Sequence, residues 1–234
     1  CILEKRGVKK IINILGSDHH GYVPRIRAVI QALGFSADSL KALLVQFAIL
    51  YRGDKKIQMS TRGGEFITLR ELREEVGIDA TRFFYVLRRA DQHMDFDLEL
   101  AKEQSNANPV YYVQYAYARI SSVLRQLTAK QWTWDKSIGM KALKELKEAQ
   151  EQDLLVLLNR YPEILELAAI SYEPHIIAHY LRDLAQGFHI YYNSVIFLIE
   201  DEHLRNARIN LIVAIAQVIK NSRSLLGVKT LEVM

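Results

Sequence analysis

The sequence predicts an α/β segment followed by an all-α bundle, on three observations. The front of the chain holds a continuous β-branched run, Lys9 to Leu15, then Gly16, then a helical pattern from Tyr22 to Leu33 closed by Gly34. That order is expected of a buried parallel strand delivering a loop to a crossover helix. From Asn108 onward the pattern is helical, five or six helices with short connections. Between the two lies a polar, glycine-paired stretch, Ile57 to Leu69.

Each element follows from its residues. Ligands of open α/β sheets bind at the carboxyl ends of the strands, so Gly16, Asp18, His19 and His20 stand where chemistry is expected. Asp18 can accept hydrogen bonds and an imidazole can stack or donate, although the same residues also suit an Asx turn with two surface histidines. Leu40 to Tyr51 is a second apolar run, and Arg52-Gly53-Asp54-Lys55-Lys56 reads as a tight hairpin turn. Thr68 and Glu71 have capping-box spacing for a helix to Val76, which Gly77 stops. A further helix, Ala80 to Arg89, brings Phe83, Phe84 and Leu87 to one surface.

Asn108-Pro109 opens a long helix to about Leu127. Val113, Tyr117, Ile120, Leu124 and Leu127 form its core stripe, while Tyr112, Tyr115 and Arg119 fall on a different face. Two aromatics and a cation in a row offer stacking surfaces and a phosphate or base contact, the means by which unstacked RNA is held; exposed tyrosines are also ordinary on helices. Trp132-Thr133-Trp134-Asp135 reads as a connection packed by its own indoles, and Lys141 to Leu158 as one charged helix self-paired through Lys141/Glu145 and Lys144/Glu148. Pro162 and Pro174 mark helix starts, and the last pair runs from about Pro174 to Leu198 and Glu202 to Leu226. His175 and His179 share a helical face, but no third ligand matches their spacing, so no metal site is expected. Phe188 and Tyr192, four apart, suit either core or an aromatic surface.

A chain of 234 residues with 50% apolar content can fill a core, which argues against disorder. Its single cysteine excludes an internal disulfide and a cysteine-based zinc site and fits a reducing cytoplasm. No apolar run approaches a membrane span, and no membrane partner is expected. Charge is uneven: residues 1–62 carry eleven Lys or Arg against four acidic residues, residues 63–108 six against ten, and the remainder fourteen against thirteen. The positive field at the front favours phosphates, or is simply a solvated basic face.

The stretch Ile57-Gln58-Met59-Ser60-Thr61-Arg62-Gly63-Gly64 resembles the signature loop of class I aminoacyl-tRNA synthetases, usually Lys-Met-Ser-Lys. Asp79-Ala80-Thr81-Arg82-Phe83-Phe84, Asp95-Phe96-Asp97-Leu98, Glu103-Gln104-Ser105 and Asn108-Pro109-Val110-Tyr111-Tyr112-Val113-Gln114-Tyr115-Ala116-Tyr117-Ala118-Arg119 are similar in order and spacing to the arginyl-tRNA synthetase family. Gly16 to Val23, Ala32-Leu33-Gly34, Leu204 to Arg208 and Leu225 to Met234 extend the likeness over essentially the whole chain.

The resemblance implies the second half of a Rossmann-like nucleotide-binding domain with the signature loop (1–62), a stem-contact region (63–108) and a helical-bundle anticodon-binding domain (109–234). It implies an arginine-tRNA ligase that joins L-arginine to arginine tRNA with ATP as substrate, Mg2+ accompanying the ATP and no tightly bound cofactor. Gln58, Met59, Ser60, Thr61 and Arg62 would form the catalytic loop; Gly16, Asp18, His19 and His20 would hold ribose or adenine; Tyr112, Tyr115, Arg119, Phe188, Tyr192 and Met234 would meet the tRNA. The sequence departs from the family where Gln58 and Thr61 stand at the lysine positions and Tyr117 where His is usual. A His-Ile-Gly-His-type motif is missing and the chain begins at Cys1, so the expectation is a carboxyl-terminal fragment, inactive alone, of an enzyme that is monomeric when whole. The alternative is a non-catalytic RNA-binding paralogue. A severed sheet exposes an apolar edge, which predicts self-association or disorder in residues 1–60.

Overall fold

The computed structural model describes residues 2–59 and 66–229. Helix α1 (Ile2–Arg6), strand β1 (Ile11–Gly16), helix α2 (Tyr22–Ala32) and strand β2 (Leu40–Val45) open the chain. The two strands pair in parallel, Ile11 opposite Leu40 through Gly16 opposite Val45, with α2 as the crossover. Gly34 closes α2 at φ +83°, a conformation that favours glycine. The expected burial of β1 is corrected by the structure: Ile12 is 49% and Ile14 66% exposed. The cause is coverage. A small cluster of Leu3, Ile30 and Leu40 with Ile11, Ile26 and Phe35 fills one face of the pair. Strand alternation turns Ile12 and Ile14 to the other face, which no described residue buries.

The apolar run from Leu40 to Tyr51 is two strands. It breaks at Gln46-Phe47, and strand β3 (Ala48–Arg52) enters a second sheet in the order β4-β3-β5, with β4 at Lys55–Lys56 and β5 at Met94–Asp97. β3 and β4 form the expected hairpin, Arg52 opposite Lys55, with Gly53 at φ +59°. β5, which the sequence reading did not identify as a strand, lies parallel to β3 with Ala48 opposite Met94. Between them come α3 (Leu69–Val76) and α4 (Ile78–Leu87). The capping box forms as expected: Glu71 N donates to Thr68 Oγ1 at 3.1 Å and Thr68 N to the Glu71 carboxylate at 2.6 Å.

After α5 (Leu98–Lys102), Asn108 caps α6 (Pro109–Ala129) by accepting from Val110 N, while its amide donates to the carbonyls of Ala101 and Glu103. Val113, Ile120 and Leu127 are buried, with Tyr117 and Leu124 at the margin of the core. The single helix expected over Lys141 to Leu158 is also corrected. The chain forms α7 (Lys136–Lys141), a short 3-10 turn at Leu143–Glu145, and α8 (Ala149–Asn159) with a fresh capping box between Glu148 and Glu151. Side chains take the backbone groups that a continuous helix would pair: Glu148 N donates to the buried Glu151 carboxylate at 3.0 Å, and Gln152 Nε2 donates to the Leu146 carbonyl. The lysine–glutamate pairs thus share no continuous helical face.

The bundle ends with α9 (Tyr161–Ser171), α10 (His175–Ser194) and α11 (Glu202–Leu226), with Pro162 and Pro174 at the helix starts as expected. The indoles pack on α11, not on each other: Trp132 lies 4.2 Å from the Arg205 guanidinium and Trp134 Nε1 donates to Asn210 at 2.8 Å. The main core extends from Leu50 to Val228. Inside it, fully buried Glu151 accepts from Tyr191 Oη and from Arg208 Nε, each at 2.9 Å. Burial, with the Glu151 charge added, pushes the Tyr191 hydroxyl far above its ordinary range. No helix of the described residues is long and apolar enough to cross a membrane.

Candidate nucleic-acid interface

Tyr111, Tyr115 and Arg119 succeed one another at helical four-residue steps on α6, and α10 brings Tyr192 against them. The Arg119 guanidinium carbon lies 4.3 Å from the ring centre of Tyr115 and 4.6 Å from that of Tyr192. Tyr111 stacks on Tyr115 at 5.8 Å. A guanidinium packed on rings in this way gains cation–π attraction while its N–H groups stay free to donate within its plane.

Behind the column sits His189, only 6% exposed. Its Nδ1 is 3.1 Å from Arg119 Nη1 and its Nε2 is 3.1 Å from the carbonyl oxygen of Tyr112. A guanidinium only donates and a carbonyl only accepts, so the imidazole is neutral with its proton on Nε2. The ring also touches Tyr112 at 4.5 Å and Tyr115 at 5.6 Å. Burial first, and the Arg119 charge as well, hold its pKa below the ordinary histidine value against the opposing effect of the Tyr112 carbonyl.

The structure therefore brings together Tyr112, Tyr115, Arg119 and Tyr192, all half-buried. Phe188 is a correction: it is fully buried, its ring against His189 and Tyr192, and it floors the column without reaching the surface. Its position, one helical turn before Tyr192 on the inward side of α10, leaves no other place for it. Met234 lies outside the described residues. Sequence reasoning missed Tyr111 and His189. The four-residue step from Tyr111 to Tyr115 was a usable signal; for His189 the only one was its place three residues before Tyr192.

At the front, Gly16 is followed by a 3-10 turn, Ser17–His19, at the carboxyl ends of β1 and β2. Asp18, His19 and His20 are exposed; His19 Nε2 lies 3.6 Å from the Asp18 carboxylate and His20 Nδ1 3.1 Å from the Ser17 carbonyl oxygen. A Cβ on Gly16 would meet Asp18 Oδ1 at 2.5 Å, so glycine lets that carboxylate fold back over the backbone. Beside the turn a cleft of about 400 Å3 is lined by Gly16, Gln46, Tyr85, Arg88 and Arg89, two cations the sequence reading did not assign. Gln58 and Met59 are exposed in irregular backbone, and Ser60, Thr61 and Arg62 lie outside the described residues. The approach to that stretch is anchored: Ile57 N donates to Leu50 O at 2.9 Å, and Arg52 and Lys102 both pair with Glu75 and Glu99. These pairs hold the β3–β4 hairpin to α3 and α5. His175 and His179 meet edge to face at 5.9 Å, and no group of three or more metal-ligating side chains occurs among the described residues.

The carboxyl-terminal half is thus a helical bundle carrying an aromatic and cationic column between two of its helices. The family model of the DALR anticodon binding domain matches residues 113–234, and the chain belongs to that family. Over nearly its whole length it is similar to arginine–tRNA ligases: 59% identical over 229 residues to that of Coxiella burnetii and 55% over 229 residues to that of Legionella pneumophila. Each alignment covers 98% of this chain and 39% of the relative, so the chain spans about two-fifths of the length of the curated relatives it matches. A solved structure from Campylobacter jejuni, attributed to an arginyl tRNA synthetase, superposes with a TM-score of 0.86 at 31% identity, covering 99% of this chain and 49% of that one. The Thermus thermophilus arginyl-tRNA synthetase shares the fold, with a TM-score of 0.75 at 24% identity over 97% of this chain and 41% of its own.

Proposed function

We propose that this chain is the carboxyl-terminal part of an arginine-tRNA ligase, carrying the signature loop and the anticodon-binding domain, and that it is inactive alone. Support comes from the similarity to arginine–tRNA ligases and from one geometric observation, the Arg119 guanidinium held over the rings of Tyr115 and Tyr192. Aromatic faces next to a cation's N–H edge suit the splayed bases and phosphates of an anticodon loop. Tyr112, Tyr115, Arg119 and Tyr192 would contact arginine tRNA, with Met234 near them.

In the whole enzyme, arginine and ATP give arginyl-adenylate and pyrophosphate, and a ribose hydroxyl of the tRNA then takes the arginyl group. Orientation and charge stabilisation supply most of such catalysis. Residues 1–62 would be the second half of a Rossmann-like domain, 63–108 a stem-contact region and 109–234 the anticodon-binding domain. Gly16, Asp18, His19 and His20 would hold the nucleoside of ATP, a role that suits their place at the ends of parallel strands. Gln58, Met59, Ser60, Thr61 and Arg62, with Lys55 and Lys56 nearby, would face its phosphates and the accompanying Mg2+. The setting would be the cytoplasm, with a monomeric whole enzyme. The second reading, a non-catalytic RNA-binding paralogue, is favoured by Gln58 and Thr61 at the signature lysine positions.

Titration of the chain with arginine tRNA at fixed moderate salt, against the same tRNA with a changed anticodon, tests the proposal. The expected result is a clear preference for the native anticodon, lost in Tyr112→Ala or Tyr115→Ala. Equal affinity for both, with the fold intact, would overturn it.

A further inference from the structure

Arg119 is the cation at the centre of the column, yet no carboxylate of the described residues fixes it. It lies over the rings of Tyr115 and Tyr192, and among the described residues its hydrogen bond is the one from Nη1 to His189 Nδ1 at 3.1 Å. That acceptor exists only while His189 is neutral and carries its proton on Nε2. The Tyr112 carbonyl, 3.1 Å from Nε2, enforces this tautomer from the opposite side of the ring. The chain runs from a backbone carbonyl through an imidazole to a guanidinium, and each link has one allowed direction.

Resting on the RNA-contact role proposed above for this face, we infer that His189 is the positioning residue that aims Arg119 at the tRNA, and that its protonation releases Arg119 and so lowers anticodon discrimination. A proton on Nδ1 replaces the acceptor by a donor and sets two cations against each other at hydrogen-bond distance, so Arg119 must leave. The charged and titratable groups around the ring are cations and phenols, and the Arg119 cation opposes a second positive charge on the imidazole. From α6 they are Arg119 and the phenols of Tyr112 and Tyr115; from α10, Tyr192, with Arg182 further along acting with Arg119 on the Tyr112 hydroxyl. No carboxylate among the described residues pairs with His189 to retain the proton. The pKa held below the ordinary histidine value agrees, since the neutral acceptor is the form the fold prefers.

Release leaves the total positive charge of the surface higher, not lower, so non-specific attraction to phosphates persists while selectivity falls. The discriminating readout is therefore the ratio of affinities for native and changed anticodons. On lowering pH from 7.5 to 5 at fixed salt, the ratio falls about tenfold, the scale of one charge-assisted hydrogen bond. His189→Gln offers an amide that donates to Tyr112 and accepts from Arg119 without titrating. It keeps the ratio at pH 7.5 and holds it flat to pH 5. His189→Ala loses the ratio at every pH, as Arg119→Ala does. A wild-type ratio that does not change with pH, or one that changes equally in His189→Gln, overturns the inference.

Long-range 1H–15N spectra of His189 in the free chain give a reading that does not depend on RNA. They should show a protonated Nε2 and a bare Nδ1 at pH 7.5, and the opposite tautomer would overturn the inference whether or not tRNA binds. Absence of tRNA binding with the expected tautomer would instead count against the proposed function.

Discussion

The front of the chain and the helical bundle contain similar densities of Ile, Leu and Val but use them in opposite ways. In residues 2–47 a two-stranded parallel pair is covered on one face, and Ile12, Ile14, Val29, Leu33 and Phe47 stand open to solvent. The bundle also leaves some apolar side chains open, Ile170 and Ile196 among them, but its helices enclose one continuous core that takes even charge inside. Glu151 is buried with Arg208 and Tyr191, and Arg223 is fully buried with no hydrogen-bond partner for its guanidinium nitrogens among the described residues, and burial lowers its pKa to about 10. The difference teaches that a hydrophobic run does not bury itself. A second layer must be supplied, and in the front it is supplied on one side only.

The largest expected effect lies in the bundle. Arg208→Ala leaves the Glu151 carboxylate buried without its cation and is expected to cost about 3–5 kcal/mol in urea unfolding, whereas Glu151→Leu combined with Arg208→Met recovers most of that loss. A cost below about 1 kcal/mol for the single change would show that this core is more open to water than its geometry indicates. Gly139→Ala forces a methyl group against the Asn206 carbonyl and should cost about 1–3 kcal/mol by the same measurement. Thr68→Ala removes the side-chain half of the capping box on α3 and should cost about 1 kcal/mol.

Next in size is a pH effect. His189 and His179 both have folded pKa values below the ordinary 6.5, for His179 because of burial and then the Arg182 charge. The unfolded chain therefore takes up protons that the folded chain resists. Stability is complete above about pH 6.5 and declines as pH falls below it. Melting temperature followed from pH 7.5 to 5 should drop, and drop less in His189→Gln.

The smallest effect is expected at the front. Ile14→Lys should change unfolding free energy by less than about 0.5 kcal/mol, since the side chain is already exposed, while reducing self-association in sedimentation. Hydrogen exchange should show β1 and β2 opening more easily than α6, α10 and α11. Equal protection in a monomer would remove the contrast altogether.

The sequence made local features legible and tertiary ones opaque. The Thr68–Glu71 capping box, the Gly34 and Gly77 stops, the Arg52–Lys56 hairpin and the bounds of α11 were all readable, because each depends on residues within one or two turns. Burial of β1 was not, since it depends on a layer elsewhere. Nor was the break between α7 and α8, where Glu151, held by Tyr191 and Arg208 from later helices, takes the Glu148 N–H, nor β5, which pairs with a strand more than forty residues earlier. At the candidate interface, the α6 half of the column followed from spacing. The α10 half was visible only as an aromatic pair, and which member turns outward depended on how the two helices meet: Tyr192 does and Phe188 does not. His189 was hidden because a lone histidine beside aromatics is ordinary until its two hydrogen bonds are known.

The central claim is that the α6–α10 column, and not the exposed front, meets the anticodon loop. Hydroxyl-radical footprinting of the chain with and without arginine tRNA tests it most directly. The account predicts strong protection of Tyr115 and Tyr192 with little change at His19 and Tyr22. Unchanged tyrosines in the column, with tRNA bound and the protection at the front, would contradict it.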